Sequence, residues 1–256
     1  MIPKIIHYCW FGGNPLPELA IRCIESWKKY LPDYEIKEWN ESNFNVNIIP
    51  YTAEAYKAKK YAFVSDYARF WVLYNFGGLY FDTDVLVLKN MDHIINRGGF
   101  MGFEQPSEEM KNNMVDYRVE VAPGLGIGIS KNNPLFKELL DYYANQRFLK
   151  DDGSFNYVTI VTHTTNVLEQ KGLIPNNQLQ EISGVWIYPW DYFCPQSFFT
   201  KKNNITPNSV TIHLYSQSWQ GKGTILKQKI IRLLGPVLTN LIVSVKHRFN
   251  RQINEG

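Results

Sequence analysis

A strand-forming stretch interrupted by two carboxylates runs Gly77-Gly78-Leu79-Tyr80-Phe81-Asp82-Thr83-Asp84-Val85-Leu86-Val87-Leu88. Its β-branched and aromatic residues favour a strand in two pieces, and the glycine pair indicates that a preceding helix ends in a left-handed cap. Because side chains alternate along an extended strand, we expect Asp82 and Asp84 to share one side, where they can converge on one cation.

Two carboxylates beside the apolar residues 81 and 85–88 are costly without a counter-charge, and a divalent ion held by carboxylates and substrate phosphates would supply it. A solvated strand end with two ordinary acids is the alternative. Asp66 and Arg69 are three residues apart on the predicted preceding helix and therefore share a face. They would offer an acceptor for ribose hydroxyls and a cation for phosphate, or form an ordinary intrahelical ion pair.

Strands and helices alternate on either side of this stretch. Hydrophobic patterns predict a strand, a helix and a strand over residues 4–10, 19–27 and 34–39, followed by one long helix over residues 51–76. Further strands are predicted at residues 99–103, 124–130, 185–188 and 210–214, and helices at residues 134–148 and 158–171. This order indicates an α/β fold.

Composition limits the class of protein. The chain has 256 residues, 45% hydrophobic and 20% charged, which is typical of a soluble globular protein with one core. A net charge of +3 is too small to indicate nucleic-acid binding. The 16 Tyr, 15 Phe and 7 Trp offer flat faces for stacking on sugars and bases, or fill the core. Three widely spaced cysteines and the absence of a visible secretion signal indicate a cytoplasmic protein.

Two segments together resemble a known family. Phe63-Val64-Ser65-Asp66-Tyr67-Ala68-Arg69 and Gly77-Gly78-Leu79-Tyr80-Phe81-Asp82-Thr83-Asp84 are similar to glycosyltransferase family 32, whose sugar-binding region contains the Asp-x-Asp motif and which is related to the clostridial glucosylating toxins. The opening strand, residues 5–13, is also typical of that family, and weaker matches continue to Trp219. The resemblance implies a GT-A type, Rossmann-like nucleotide-sugar-binding fold with a central mixed sheet flanked by helices.

The same resemblance implies a role for each matching residue. It puts Asp82, Asp84 and Arg69 in catalysis, and Asp82, Asp84 and His213 around a divalent metal, Mn²⁺ or Mg²⁺. For the nucleotide-sugar it implies contacts from Tyr8, Trp10, Asp66, Arg69, Tyr80, Asp82, Ser218 and Trp219. Imidazole is a sound third ligand for a manganese-like ion, although a lone His at a strand end is often structural, and Tyr80 is equally compatible with a buried core position.

The implied activity is a retaining transfer of a hexose or N-acetylhexosamine from a nucleotide-diphosphate sugar, with UDP-sugar favoured. The implied acceptor is a saccharide or lipid-linked glycan in bacterial capsule or surface polysaccharide synthesis. Residues 122–126 and 162–164 depart from the family pattern, so His163 either contacts the acceptor or caps a helix. A metal-dependent nucleotidyl or phosphoryl transferase and a non-catalytic carbohydrate-binding protein are the alternatives.

The chain is predicted to contain a transferase domain over residues 1–222 and a basic amphipathic helical tail over residues 223–256. Residues 225–245 are rich in apolar side chains, but Lys227, Lys229 and Arg232 interrupt them, so they do not form a clean membrane span. Such a tail would lie on anionic lipid at the inner face of the cell membrane and bring the enzyme to its acceptor, or pack on the core.

Overall fold

The computed structural model describes residues 1–105, 118–196 and 203–216. The strands, numbered along this part of the chain, are β1 Ile5–Cys9, β2 Glu35–Trp39, β3 Gly78–Tyr80, β4 Val85–Val87, β5 Gly99–Gly102, β6 Ile127–Ile129, β7 Gln180–Ile182, β8 Val185–Tyr188 and β9 Thr211–His213. The helices are α1 Glu18–Tyr30, α2 Pro50–Lys57, α3 Tyr61–Phe76, α4 Asp92–Ile95, α5 Pro134–Ala144, α6 Ile160–Gln170 and α7 Trp190–Phe193. Apart from the helix predicted over residues 51–76, the strands and longer helices agree with the predicted pattern, whereas the short elements β7, α4 and α7 were not predicted.

Seven strands form a mixed sheet in the order β2-β1-β3-β6-β5-β8-β7. Strand β1 is parallel to both β2 and β3, while β6 is antiparallel to its neighbours β3 and β5. Alternate residues of each strand enter two hydrophobic clusters: Ile6 and Leu79 pack with Trp27 of α1, and Tyr80 packs with Phe70 of α3. Because successive side chains point to opposite faces, these clusters lie on the two faces of the sheet. The predicted α/β fold with a mixed sheet flanked by helices is confirmed.

His7 joins three elements at the buried end of this sheet. Its Nδ1 accepts a hydrogen bond from the Trp39 indole over 3.0 Å, and its Nε2 lies 2.9 Å from the carbonyl oxygen of Gly77, to which it donates. Burial lowers the pKa of His7 from 6.5 to about 4, so the ring is neutral, as these two bonds require. The imidazole therefore holds the end of α3 against β1 and β2.

The predicted single helix over residues 51–76 is wrong, because the chain forms two helices, α2 and α3. Lys59 adopts φ 57° between them. The amide of Lys59 bonds to the carbonyl of Tyr56 and the amide of Lys60 to that of Ala55, which is the Schellman pattern that ends helices. Glycine usually occupies the left-handed position of this motif, so a lysine there gave no signal of a break.

The stretch that contains Asp82 and Asp84 contributes strands to two different sheets. Strand β3 belongs to the central sheet, whereas β4 pairs antiparallel with β9 in a separate two-stranded sheet. Between them the chain turns, with the amide of Val85 bonded to the carbonyl of Asp82 over 3.0 Å. The strand in two pieces is confirmed. The expectation that strand alternation aligns the two carboxylates is wrong, because a turn carries them.

Residues Met1–Ser216 form one compact unit. Ser218, Trp219 and the predicted tail over residues 223–256 lie outside the described residues, and the predicted domain boundary after residue 222 stays a prediction. Within the described part of the chain, no helix is both long enough and apolar enough to cross a bilayer.

Candidate active site

Arg69 lies between two carboxylates at the end of β3. Its Nη2 is 2.9 Å from Asp66 Oδ1 on the same face of α3, and its Nη1 donates to Asp82 Oδ2 over 3.4 Å. The guanidinium also lies 4.9 Å from the centre of the Tyr80 ring, whose hydroxyl donates to Asp82 Oδ1 over 3.1 Å. The predicted residues Asp66, Arg69, Tyr80 and Asp82 are therefore one hydrogen-bonded cluster.

One guanidinium cannot neutralise both acids of this cluster. The Asp66 side chain is 11% exposed and that of Asp82 is 29% exposed, so Asp66 is the more costly of the two to ionise. Burial raises the pKa of Asp66 to about 7 despite the attraction of Arg69, and the charge of Asp82 adds to the shift. Burial opposes the charge on Arg69, but Asp82, Tyr80 and Asp66 together raise its pKa, so the guanidinium stays charged.

Gly124 packs directly against the Asp82 carboxylate. The amide of Asp82 bonds to the carbonyl of Gly124 over 3.3 Å. A Cβ at position 124 would lie 2.2 Å from Asp82 Oδ2, far inside van der Waals contact. Prediction from the sequence placed residues 122–126 only in relation to the acceptor, whereas the structure shows that glycine at position 124 leaves room for the carboxylate.

Asp84 is surrounded by the chain around β9. Its Oδ1 lies 2.9 Å from His213 Nε2, and its Oδ2 accepts a hydrogen bond from the Ser216 amide over 2.8 Å. Burial alone would raise the pKa of Asp84, but His213 and Ser216 hold it well below its usual range. Burial likewise opposes protonation of His213, yet the Asp84 charge more than offsets it and raises the histidine pKa above 6.5. The two side chains form a buried ion pair while no metal competes for them.

Asp82, Asp84 and His213 fit a divalent cation. One possible ligand atom from each lies within 4.8 Å of the others, although the residues come from a turn and a distant strand. Two carboxylate oxygens and one imidazole nitrogen are donors that Mn²⁺ accepts readily, and Mg²⁺ accepts the oxygens. Asp84 and His213 can exchange their mutual contact for a shared metal ion, which releases the histidine proton.

The residues predicted to contact the nucleotide-sugar do not all lie at the cluster of Asp66, Arg69, Tyr80 and Asp82. Tyr8 points into the opposite core, where its ring lies 5.9 Å from that of Trp27 and its hydroxyl donates to Glu38 Oε2 over 2.6 Å. Trp10, at the end of β1, is half-buried, and its indole donates to the Asn14 carbonyl over 2.6 Å. Of the two, Trp10 has an exposed surface for a ligand, whereas Tyr8 is buried.

His163 does not cap a helix. It lies inside α6 with its Nδ1 2.8 Å from the Tyr142 hydroxyl, whereas Thr159 is the N-cap residue and accepts a hydrogen bond from the Thr162 amide. The capping alternative is therefore wrong, because the helix begins before His163. The acceptor contact predicted for His163 stays a prediction.

Two residues next to the metal-binding set escaped prediction. Tyr215 packs edge-on against His213 at 4.3 Å between ring centres, and its hydroxyl donates to Glu104 over 2.9 Å. Glu104 follows β5, and an acid just after a buried strand was the only sequence signal that could have pointed to it. Apart from these two, Cys9 at the end of β1 interacts electrostatically with Arg69, and burial raises the pKa of its thiol to about 12.

The mixed sheet and the acidic cluster at the end of β3 are features that the resemblance stated from the sequence implied. Comparison with known families agrees, since residues 17–100 match the model described as "Glycosyltransferase sugar-binding region containing DXD motif". The resemblance stated from the sequence is thereby confirmed over this segment, which contains Asp66, Arg69, Asp82 and Asp84. This match favours a glycosyltransferase over the two alternatives, a metal-dependent nucleotidyl or phosphoryl transferase and a non-catalytic carbohydrate-binding protein.

Two relatives of known name agree with this family match. The chain is 29% identical over 209 residues to an uncharacterised glycosyltransferase of Acanthamoeba polyphaga mimivirus, which covers 76% of this chain and 78% of the relative. It is 27% identical over 167 residues to inositol phosphoceramide mannosyltransferase 3 of Schizosaccharomyces pombe, covering 64% of this chain and 42% of that protein. It therefore spans less than half of the yeast relative.

A solved structure, the PaToxG glycosyltransferase, is 22% identical and covers 67% of this chain and 70% of its own, with a TM-score of 0.46. A likeness at this TM-score carries no weight of its own. The fold assignment rests on the order of the strands and on the position of the acidic motif after β3.

Proposed function

We propose that this glycosyltransferase is metal-dependent and retaining, and that it transfers a hexose or N-acetylhexosamine from a nucleotide-diphosphate sugar. One observation carries the proposal: the ligand atoms of Asp82, Asp84 and His213 lie within 4.8 Å of one another. Arg69 contacts Asp82 in the same cluster, so a metal site and a fixed cation adjoin. A nucleoside diphosphate needs both kinds of positive charge as it leaves.

The protein residues divide this work. A bound Mn²⁺ or Mg²⁺ would act as a Lewis acid toward the diphosphate, and Asp82, Asp84 and His213 would hold it. Arg69 keeps its charge inside a buried cluster, where a guanidinium attracts phosphate oxygens more strongly than in water. Asp66 lies beside it and offers hydrogen bonds to hydroxyl groups of the donor sugar or ribose. Since Arg69 engages both Asp66 and Asp82, we propose same-face substitution through an oxocarbenium-like state without a covalent intermediate.

UDP is the proposed nucleotide, Trp10 the residue that stacks on the base, and Ser218 and Trp219 the contacts to the diphosphate. A saccharide or lipid-linked glycan is the proposed acceptor, in bacterial capsule or surface polysaccharide synthesis. The yeast relative is named for transfer of mannose to inositol phosphoceramide, which supports a lipid-linked acceptor for this chain. The proposed location is the cytoplasmic face of the membrane, reached through residues 223–256.

Donor hydrolysis by the purified protein tests this function. UDP- and GDP-sugars are incubated with the wild type, with Asp84→Asn and with Asp151→Asn, each with and without Mn²⁺. Asp151 is an exposed acid remote from the cluster in sequence and serves as the matched control. We expect metal-dependent release of a nucleoside diphosphate from one sugar, retained in Asp151→Asn and lost in Asp84→Asn.

Two results would contradict the proposal. Equal turnover without metal, or turnover unchanged in Asp84→Asn, would refute a role for the metal site. A covalent glycosyl-enzyme trapped with the identified donor would refute same-face substitution while leaving the metal role in place.

A further inference from the structure

The segment 213–216 contacts Asp84 at three points. His213 Nε2 lies 2.9 Å from Asp84 Oδ1, the Ser216 amide donates to Oδ2 over 2.8 Å, and the Leu214 amide donates to the Asp84 main-chain oxygen over 2.9 Å. Asp84 thus owes its orientation to a part of the chain more than a hundred residues away. If this segment were displaced, the cation site would lose one ligand and the alignment of another.

The backbone of this segment is strained at Tyr215. Its φ is 49°, a left-handed conformation that is unfavourable for a residue with a side chain. The conformation lies between the two amides that bond to Asp84, at Leu214 and Ser216. Since position 215 is not a glycine, contacts around the turn must offset the strain, and the Tyr215 side chain contributes to them.

Those contacts lead to Glu104. The buried Tyr215 hydroxyl donates to Glu104 Oε1 over 2.9 Å and lies 2.8 Å from Cys194 Sγ, while the tyrosine ring packs against His213. Glu104 follows β5 of the central sheet, whereas Tyr215 follows β9 of the small sheet. The hydrogen bond between them therefore ties the metal-binding segment to the rigid sheet. Glu104 itself lies too far along the chain for any local pattern to connect it with His213.

We propose that Glu104 is a positioning residue, which holds segment 213–216 on Asp84 through the Tyr215 hydroxyl and thereby sets the affinity of the site for a divalent cation. The inference rests on the proposed function only in taking Asp82, Asp84 and His213 as the metal site. Glu104 acts through its capacity to accept a hydrogen bond, and it need not touch metal or substrate. Residues that orient metal ligands in this way change metal affinity by about 10- to 100-fold.

Direct Mn²⁺ binding to the full chain, measured by calorimetry and by the paramagnetic signal of free Mn²⁺, tests the proposal without turnover. Tyr215→Phe keeps the ring and removes the hydroxyl, and Glu104→Leu removes the acceptor. Both should weaken Mn²⁺ binding by about 10- to 100-fold. Glu104→Gln keeps an oxygen acceptor and should retain most of the affinity. Tyr157→Phe, which removes an exposed hydroxyl, is the matched control and should bind as the wild type does.

The possible outcomes distinguish a failure of this proposal from a failure of the proposed function. If the wild type binds Mn²⁺ and Asp84→Asn does not, but Tyr215→Phe binds as tightly as the wild type, Glu104 has no positioning role. If Glu104→Gln binds Mn²⁺ as weakly as Glu104→Leu while circular dichroism shows both to be folded, the charge of Glu104 is what supports Mn²⁺ binding. The proposed hydrogen-bond mechanism is then wrong. No Mn²⁺ binding by the wild type would overturn the metal site itself.

Discussion

At the scale of single residues, the site distributes two cationic side chains among three carboxylates. Arg69 contacts Asp66 and Asp82, while His213 contacts Asp84. The arginine is permanently charged, whereas the histidine can lose its proton near neutral pH. Arg69 therefore keeps its charge over the working pH range, whereas the charges of His213 and of Asp66, whose pKa burial raises to about 7, change with pH.

The first prediction concerns pH and metal. Asp84 raises the pKa of His213 above 6.5, and the imidazole must be neutral to bind a cation. Mn²⁺ affinity should therefore rise by about tenfold per pH unit below that raised pKa and level off above it. Titrations at several pH values from below 6.5 upward measure the slope and the pH at which it levels off. The His213→Asn variant should bind more weakly with a flatter profile; an identical slope in that variant would assign the titration to another group.

The second prediction concerns Gly124. In Gly124→Ala, a methyl group would meet Asp82 Oδ2, so the carboxylate must rotate away from its position. We expect donor hydrolysis to fall by about 100-fold while thermal stability changes little, because misplacing a reacting group is costly and an acid side chain can move. Gly102→Ala is the contrasting variant: its Cβ would lie 2.5 Å from the Phe193 ring in the core, which should cost about 1–3 kcal/mol of stability. Normal activity of Gly124→Ala would show that Asp82 tolerates displacement.

At the scale of elements, the break between α2 and α3 is the feature that local propensity failed to indicate. Lysine and alanine are good helix formers, so nothing in Ala58-Lys59-Lys60 opposes a continuous helix. The helices turn because their apolar faces pack on different partners: α2 contacts α3 and α5, while α3 also covers β1 and β3. Packing in the fold outweighs the helix propensity of this segment.

The third prediction concerns the left-handed backbone of Lys59, between α2 and α3. Lys59 has φ 57°, which glycine adopts without the steric cost that lysine bears. The Lys59→Gly variant should therefore be more stable by about 0.5–1 kcal/mol, as urea unfolding would measure. Ala53→Gly, inside α2, should lose about as much, since glycine weakens a helix interior. Destabilisation by both substitutions would mean that Lys59 contributes contacts that outweigh its strain.

At the scale of the whole molecule, the buried acid of α3 links pH to folding stability. The pKa of Asp66 is 3.8 in an unfolded chain and about 7 in the folded protein. Between these values the folded protein holds a proton that the unfolded chain has lost, so this group lowers the free energy of unfolding as pH rises from 3.8 to about 7. Below 3.8 both states are protonated and the effect vanishes.

The fourth prediction tests that linkage with Asp66→Asn. The variant keeps a neutral polar side chain beside Arg69 at every pH and loses the titration. Relative to the wild type, its free energy of unfolding should improve steadily as pH rises from 3.8 toward 7, measured by urea titration at each pH. A difference between the two proteins that stays constant over this range would show that Asp66 is ionised throughout in the folded state.

Local patterns in the sequence predicted the order of most strands and helices, the helix end at Gly77 and the interruption by Asp82 and Asp84. These features depend on hydrophobic periodicity and glycine conformation, which act over a few residues. The pairing of Asp66 with Arg69 was predictable for the same reason, because three residues on a helix share a face.

Three features of the site depend on the folded chain: β4 pairs with β9 outside the central sheet, Gly124 makes room for Asp82, and Glu104 accepts a hydrogen bond from Tyr215. These contacts join residues far apart in the chain, and their geometry depends on strand register and on how side chains fill a shared space. Local patterns carry no information about either. The two aspartates of the cation site could thus be identified from the sequence. The contacts that surround Asp84 form only in the folded chain.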